Sequence, residues 1–380
     1  MAFGRADDSL LSRWWWTVDR WLILAIVLLF ALGFLLILAA SMPVAERLGL
    51  ESFHFAKRQL VFLIMAFGTM ITISILSEGN ARRLSLALLP ICLGLIALTL
   101  FIGPEIKGAT RWLQIGSFTL QPSEFLKPAF VVTSAWLLAG SLEDRSFPGR
   151  QLAFLMFILV VVLLMLQPDV GQTALISGVF LGQLMLAGLP LLWLGVMSAG
   201  SVAALTMGYF TIPHVQSRID IFFDPASGDT YQIDTALNAF RAGGMFGRGP
   251  GEGLVKRILP DAHSDYIFAV AGEEFGALAC LVILGLFAVI VIRGLARLLE
   301  EEDVFTLLAV SGLLALFGLQ ALINMGVNLG VLPSKGMTLP FVSYGGSSLL
   351  ALAITMGLVL ALTRKVHGPK TSKVRKRRAR

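Results

Sequence analysis

Hydrophobic positions along this chain come in long unbroken runs, not in the alternation of a half-buried strand or the spaced stripe of a surface helix. Runs bounded by charges or turn residues fall at 20–41, 59–76, 84–102, 125–140, 152–167, 172–188, 191–210, 266–292, 304–324 and 349–363. A helix crosses the hydrocarbon core of a bilayer with about 20 residues, and these runs reach or approach that length. The pattern predicts an all-α polytopic membrane protein with ten transmembrane helices. The first run is longer than the apolar core of a signal peptide and has 19 residues ahead of it, so it reads as an uncleaved anchor.

Composition agrees. Of 380 residues, 56% are apolar and 14% charged, and the mean hydropathy is +0.81. Ordinary globular domains carry about 25% charged residues, so a soluble enzyme and a nucleic-acid-binding domain are both disfavoured. Two cysteines, Cys92 and Cys280, both inside apolar runs, make no disulfide framework and no thiolate metal cluster. With 38 glycines and 15 prolines, some helices must be broken or joined by shaped loops.

Lys and Arg set the orientation. Placing both termini in the cytoplasm puts more than half of the 30 basic residues there, including Arg82, Arg83, Arg145, Arg150, Arg293 and Arg297. The expected organisation is a cytoplasmic segment 1–19, one membrane domain 20–363 and a basic cytoplasmic tail 364–380. The tail reads as an anchor on anionic lipid, not a nucleic-acid site. The outer face then receives 42–58, 103–124, 211–265 and 325–348, while the cytoplasmic connections are short. A net charge of +6, with basic residues in every outer segment, suits an anionic ligand on that face. No internal repeat is visible, which weakens a transporter built from duplicated halves.

Four of the outer segments and turns carry candidate chemistry. In the first, Ser123 and Glu124 are placed to cap the fourth span, Lys127 to pair with Glu124 or snorkel outward, and Arg111 to face a phosphate with its planar fork. Asp169, in the turn Gln167-Pro168-Asp169, is placed to cap the sixth span. In the large outer loop between spans seven and eight, the glycines between Arg241 and Gly253 lack the Gly-Lys-Ser/Thr of a nucleotide cradle. They read as a flexible lid or groove lining, with Arg218, Arg241, Arg248, Lys256 and Arg257 available for anionic groups. Asp265 stands where that loop becomes span eight, where partial desolvation suits base duty. Glu273 and Glu274 follow about 12–13 Å further along the helix and must pair, protonate or line a wet cavity. His263-Ser264-Asp265 offers weak metal-ligand spacing. Between spans nine and ten, 324–348 is too rich in Gly and Pro for a helix yet apolar, as in a re-entrant loop, with Lys335 a cation seeking an anion.

As a set, Gln121-Pro-Ser-Glu124, Gln167-Pro-Asp169, Pro260-x-x-His263-x-Asp265 with Glu273-Glu274, and Leu332-Pro-x-Lys335 through Pro340-x-x-Ser343-Tyr344-Gly-Gly-Ser-Ser348 resemble the SEDS family (shape, elongation, division and sporulation). The likeness covers roughly 20–365. The Trp-rich start, Val18-Asp19-Arg20, Ala39-Ala40-Ser41 and the ending 356–364 look like the division member, with the elongation member close behind. The resemblance implies a ten-helix glycosyltransferase that polymerises lipid II, the undecaprenyl-pyrophosphate-linked disaccharide-pentapeptide, outside the bacterial inner membrane at the division septum. It implies a class B penicillin-binding protein transpeptidase as partner, with other membrane proteins of the division machinery. Asp265 matches the family's essential carboxylate; Lys335 and Arg111 match its basic positions. Substrate contacts are then expected from Arg111, Lys335, Glu124, Arg218, Arg248, Ser343 and Ser348. No cofactor is firmly implied, though Mg2+ or Mn2+ near Asp265 is compatible with a departing pyrophosphate. Related division proteins often carry an acidic residue where this chain has Arg257, so a cation-binding role there is not carried over. A lipid-linked-substrate flippase and a division scaffold are the rival readings.

Overall fold

The computed structural model describes residues 9–105, 109–116, 118–211, 213–224, 230–333 and 336–364. Each apolar run lies on a helix. A short amphipathic helix, α1 (Leu10–Thr17), leads into α2 (Arg20–Arg47), α3 (His54–Ser74), α4 (Glu78–Ile102), α5 (Pro122–Glu143), α6 (Gly149–Leu166), α7 (Val170–Leu186) and α8 (Leu191–Thr211). Then come α9 (Pro213–Phe223), α10 (Tyr231–Gly243), α11 (Ile267–Ala296), α12 (Val304–Asn328) and α13 (Gly346–Leu362). Among the described residues, seven helices are long and apolar enough to cross a membrane: α2 to α6, α11 and α12. α7 and α13 are apolar but shorter, at 17 residues each. The chain is a polytopic helical membrane protein.

Local chemistry explains several helix starts. Asp19, Ser77, Asp169 and Asp303 each accept a backbone N–H in the first turn of α2, α4, α7 and α12. The fourth span departs from expectation. Its N-cap is Gln121, with Pro122 in the first turn, and neither Ser123 nor Glu124 caps it. Glu124 faces inward instead, because the interior supplies it with better partners.

α5 and α12 form the centre of the bundle, about 70% buried along their apolar windows, with α13 packed between α3 and α5. At one end, Asp19 receives Arg293 Nε at 2.9 Å and Arg297 Nη2 at 2.7 Å, tying the start of α2 to the end of α11. Burial alone would raise the Asp19 carboxyl, but Arg293, the Leu22 amide and Arg297 together hold it below its ordinary value.

Near its other end α11 is broken. Gly276 sits at φ 79°, so the helical ladder is interrupted inside an apolar segment. The glycine loop after α10 repairs it: Arg248 N and Gly249 N donate to Glu273 O and Glu274 O, each at 3.0 Å. Ala277 N donates to Gly244 O at 2.9 Å. Only a residue without Cβ fits there, since a methyl on Gly276 would lie 2.4 Å from Gly247 N and Met245 O. The loop is therefore a clasp locked to α11, not the flexible lid expected from its glycines. The two buried glutamates are satisfied in different ways, Glu273 by backbone amides and Glu274 by an ion pair. Glu273 accepts Leu254 N, Val255 N and Lys256 N at 2.7–2.8 Å, while Glu274 takes the Lys256 ammonium, which also donates to Ala39 O of α2 at 3.1 Å.

Two connections shape the region above. Residues 109–121 carry a two-stranded antiparallel ribbon, β1 (Leu113–Ile115) and β2 (Phe118–Leu120), the one addition to an otherwise helical fold among the described residues. The segment between α12 and α13 has no helix in its described part, yet Met337, Leu339, Phe341 and Val342 are buried. Phe341 wedges between Phe30 and Phe317, ring centroids 4.6 and 5.8 Å away.

Candidate functional site

These connections and the ends of several helices enclose a cavity of about 460 Å³. Arg58 and Phe62 of α3 line it, with Arg111 and Trp112 before the ribbon, and Gln121 and Glu124 at the start of α5. Asp261, Ser264 and Asp265 contribute from the segment entering α11, and Gly336, Thr338 and Tyr344 to Ser348 from the connection before α13.

Asp265 is half-buried, and its carboxylate faces the Gly336 backbone: a methyl added there would stand 3.5 Å from Oδ2. Its own carbonyl accepts Nδ2 of both Asn324 and Asn328 at 2.9 Å. Ser343 is buried and outside the cavity lining. It donates to Ser264 O at 2.5 Å and accepts Leu339 N at 2.8 Å, which pins the two connections together beside Asp265. Tyr344 N donates to His263 O at 2.9 Å and adds a second pin. The His263 ring packs against Phe55 and Tyr344, and burial holds its pKa below the ordinary value.

Beneath the cavity lies a buried polar chain. Glu124 accepts Gln172 Nε2 at 2.6 Å and pairs with Lys127 Nζ at 2.9 Å. Lys127 donates onward to Gln320 Oε1 at 2.9 Å, and Gln320 Nε2 donates to Thr338 O at 3.1 Å. Thr338 Oγ1 meets Ser348 Oγ at 2.6 Å, which returns the chain to the cavity wall. Of the two expectations for Lys127, pairing with Glu124 is the one observed.

Arg111 is more committed than a substrate-seeking cation would be. Its Nε donates to Gln167 O at 3.2 Å, Nη2 donates to Pro168 O, and Nη1 lies 3.6 Å from Asp169 Oδ1. It braces the turn between α6 and α7 with one edge while the residue lines the cavity. Burial pushes the Asp169 carboxyl above its ordinary value, against the pull of Arg111.

A family model described as "Cell cycle protein", covering FtsW, RodA and SpoVE, matches residues 20–368. This chain belongs to that family. It is 48% identical over 373 residues to the probable peptidoglycan glycosyltransferase FtsW of Caulobacter vibrioides, covering 97% of this chain and 94% of the relative. The protein of that name from Trichlorobacter lovleyi is 35% identical over 356 residues, covering 91% and 93%. Among solved structures, it resembles a chain of a peptidoglycan synthase complex that coordinates polymerization and crosslinking. That match has a TM-score of 0.74 at 29% identity and covers 91% of this chain and 97% of the other. The rod shape determining protein RodA of Thermus thermophilus gives 0.69 at 27%, covering 92% and 97%.

Within this FtsW/RodA/SpoVE member, the cavity brings together Asp265, Arg111, Glu124 and Ser348 from the residues singled out in sequence. Ser343 supports it from behind. Arg248 is not among its lining; the residue is exposed on the clasp and its Nε donates to Ala242 O at 3.2 Å. Arg257 is exposed on the turn Val255–Arg257 and lines nothing here. Lys335 lies outside the described residues, as does the side chain of Arg218. Sequence reasoning missed Arg58, whose position in Lys57-Arg58-Gln59 at the start of a span reads as ordinary boundary charge. Asp261 was missed as well; it adopts φ 50°, a conformation Asp tolerates better than most residues.

Proposed function

We propose that this chain is a peptidoglycan glycosyltransferase that polymerises lipid II into glycan strands during cell division, with Asp265 as the base. The carrying observation is the cavity itself, which combines a carboxylate with Arg58 and Arg111 and a polar wall of Thr338, Ser347 and Ser348. In this reading an acceptor sugar hydroxyl attacks the anomeric carbon of the donor. Its proton passes to Asp265, the bond to the undecaprenyl pyrophosphate breaks, and the configuration inverts. Arg58, Arg111 and Lys335 stabilise the departing pyrophosphate, with Glu124 and Ser348 ordering the wall.

The membrane arrangement belongs to the same proposal. Ten helices span, both termini are cytoplasmic, and the cavity faces outward at the septum. A class B penicillin-binding protein cross-links the product, with other division proteins in the assembly. The division assignment draws on relatives named FtsW at 32–48% identity, against 27% for the RodA of Thermus thermophilus.

Among the described residues, no three His, Cys, Asp or Glu side chains stand together as a metal site. Asp261 and Asp265 could hold Mg2+ or Mn2+ only as a pair completed by water and substrate phosphate oxygens, a donor set that suits a hard cation. Such an ion would add positive charge at the leaving group.

Purified lipid II, this protein and its transpeptidase test the reading, beside Asp265→Asn. Loss of a positioned base costs about 10²–10⁴-fold. Near-normal polymerisation by a folded Asp265→Asn variant removes Asp265 from the chemistry. No polymer from wild type, together with lipid II movement between liposome leaflets, would favour a flippase.

A further inference from the structure

One face of α12 carries a ladder of side-chain amides one turn apart: Gln320, Asn324 and Asn328, each at most 2% exposed. Buried amides in an apolar helix are costly unless every donor and acceptor is used. Here each rung is engaged by backbone next to the cavity. Asn328 accepts Ala269 N at 3.0 Å on its Oδ1, so that amide, in the first turn of α11, is shared between Asn328 and Tyr266 O. Asn324 does something different. Its single NH2 donates to Asp265 O at 2.9 Å and to Met337 O at 2.6 Å, bridging two carbonyls from two separate connections. Two carbonyl oxygens sharing one donor group hold their connections at a fixed separation; without it Asp265 O keeps only Asn328 Nδ2 among the described residues, and the bridge to Met337 O is lost. Those two connections carry the Asp265 carboxylate and the Gly336 wall it faces.

We propose that Asn324 is a positioning residue: its amide sets the gap between Asp265 and the 336–338 wall, and with it the alignment of the base against the attacking hydroxyl. The inference rests on the reading of Asp265 as base. Asn324 touches no substrate; it acts through the two carbonyls. A misplacement of order 1 Å at such a site costs roughly 100-fold in rate. Asn324→Ala deletes both bonds, and Asn324→Asp keeps the shape but, ionised, donates to neither carbonyl and, protonated, to only one. Asn324→Ser keeps one donor.

The experiment measures kcat and KM for lipid II polymerisation separately, with the transpeptidase partner present, for these three variants and Asp265→Asn, alongside the thermal midpoint of each. The expected result is a loss of roughly 10- to 100-fold in kcat for Ala and Asp, a smaller loss for Ser, and KM within about threefold of wild type. A merely structural role predicts lower midpoints with unchanged kcat per folded molecule, and that outcome overturns the proposal. So does failure of all three variants to fold, since the bonds would then serve the fold first. Active Asp265→Asn would instead sink the base assignment, a separate failure visible in the same assay.

Discussion

Lys256→Met probes the clasp directly. Lys256 is 3% exposed and its ammonium lies against Glu274, itself 1% exposed, with Ala39 O as a second acceptor. Replacing the ammonium by a thioether of similar length preserves volume but strands a carboxylate among apolar side chains. Breaking one partner of a buried ion pair costs about 3–5 kcal/mol, because the remaining charge is left uncompensated. At about 2–4 °C per kcal/mol for a mid-sized cooperative unit, the midpoint should fall by roughly 6–20 °C. The double variant Lys256→Met/Glu274→Gln removes both charges and should regain most of that loss, since two neutral groups carry no such penalty. The assay is thermal denaturation in detergent followed by size-exclusion chromatography, on both variants and wild type. A Lys256→Met variant as stable as wild type, or a double variant no better than the single, would refute the account of Glu274 as a charge held by Lys256.

Two further outcomes follow from named contacts. Gly276→Ala should abolish most folded protein, because it forces a non-glycine residue to φ 79° and drives a methyl into the Gly247 and Met245 backbone; recovery of a monodisperse sample at wild-type yield would count against the clasp. His263 should make the protein acid-sensitive. Burial holds its folded pKa below the unfolded value of about 6.5, so its contribution is complete above that pH and is lost as the pH falls through the folded pKa. His263→Phe keeps ring packing on Phe55 and Tyr344 and should lose less midpoint between pH 7.5 and pH 5.5 than wild type does; equal losses in both would exclude His263 as the source.

Much of this architecture was legible in the sequence because membrane crossing leaves a one-dimensional signal. Every apolar run lies on a helix, and Asp169 caps where its position suggests. The helix break at Gly276 was not legible: glycine within an apolar run reads the same whether the backbone passes straight through or turns. The glycines near Arg248 misled for a related reason. Glycine permits mobility and close approach equally, and only the partner strand distinguishes them. Glu124 and Lys127, three apart on one helix, could be paired by spacing, whereas Lys256 and Glu274 meet only because the clasp folds back. Arg58 escaped notice because a cation at the head of a span has a sufficient reason to be there already. Asn324 and Asn328 escaped because the glycines and prolines of 324–348 assigned them to a loop, whereas α12 continues to Asn328 and turns both amides toward the opposing carbonyls.

The break in α11 has a consequence for biosynthesis. The residues that heal it, 244–249, are made before the helix they repair and lie only about 30 residues upstream, so the loop between them closes at modest entropic cost. A nascent chain that has just released α11 therefore already holds everything needed to satisfy the interrupted amides, whereas Asn324 and the connection before α13 arrive later. α10 and α11 can mature as a pair during insertion. The floor that Asp265 stands on would then exist before the wall it faces has left the ribosome.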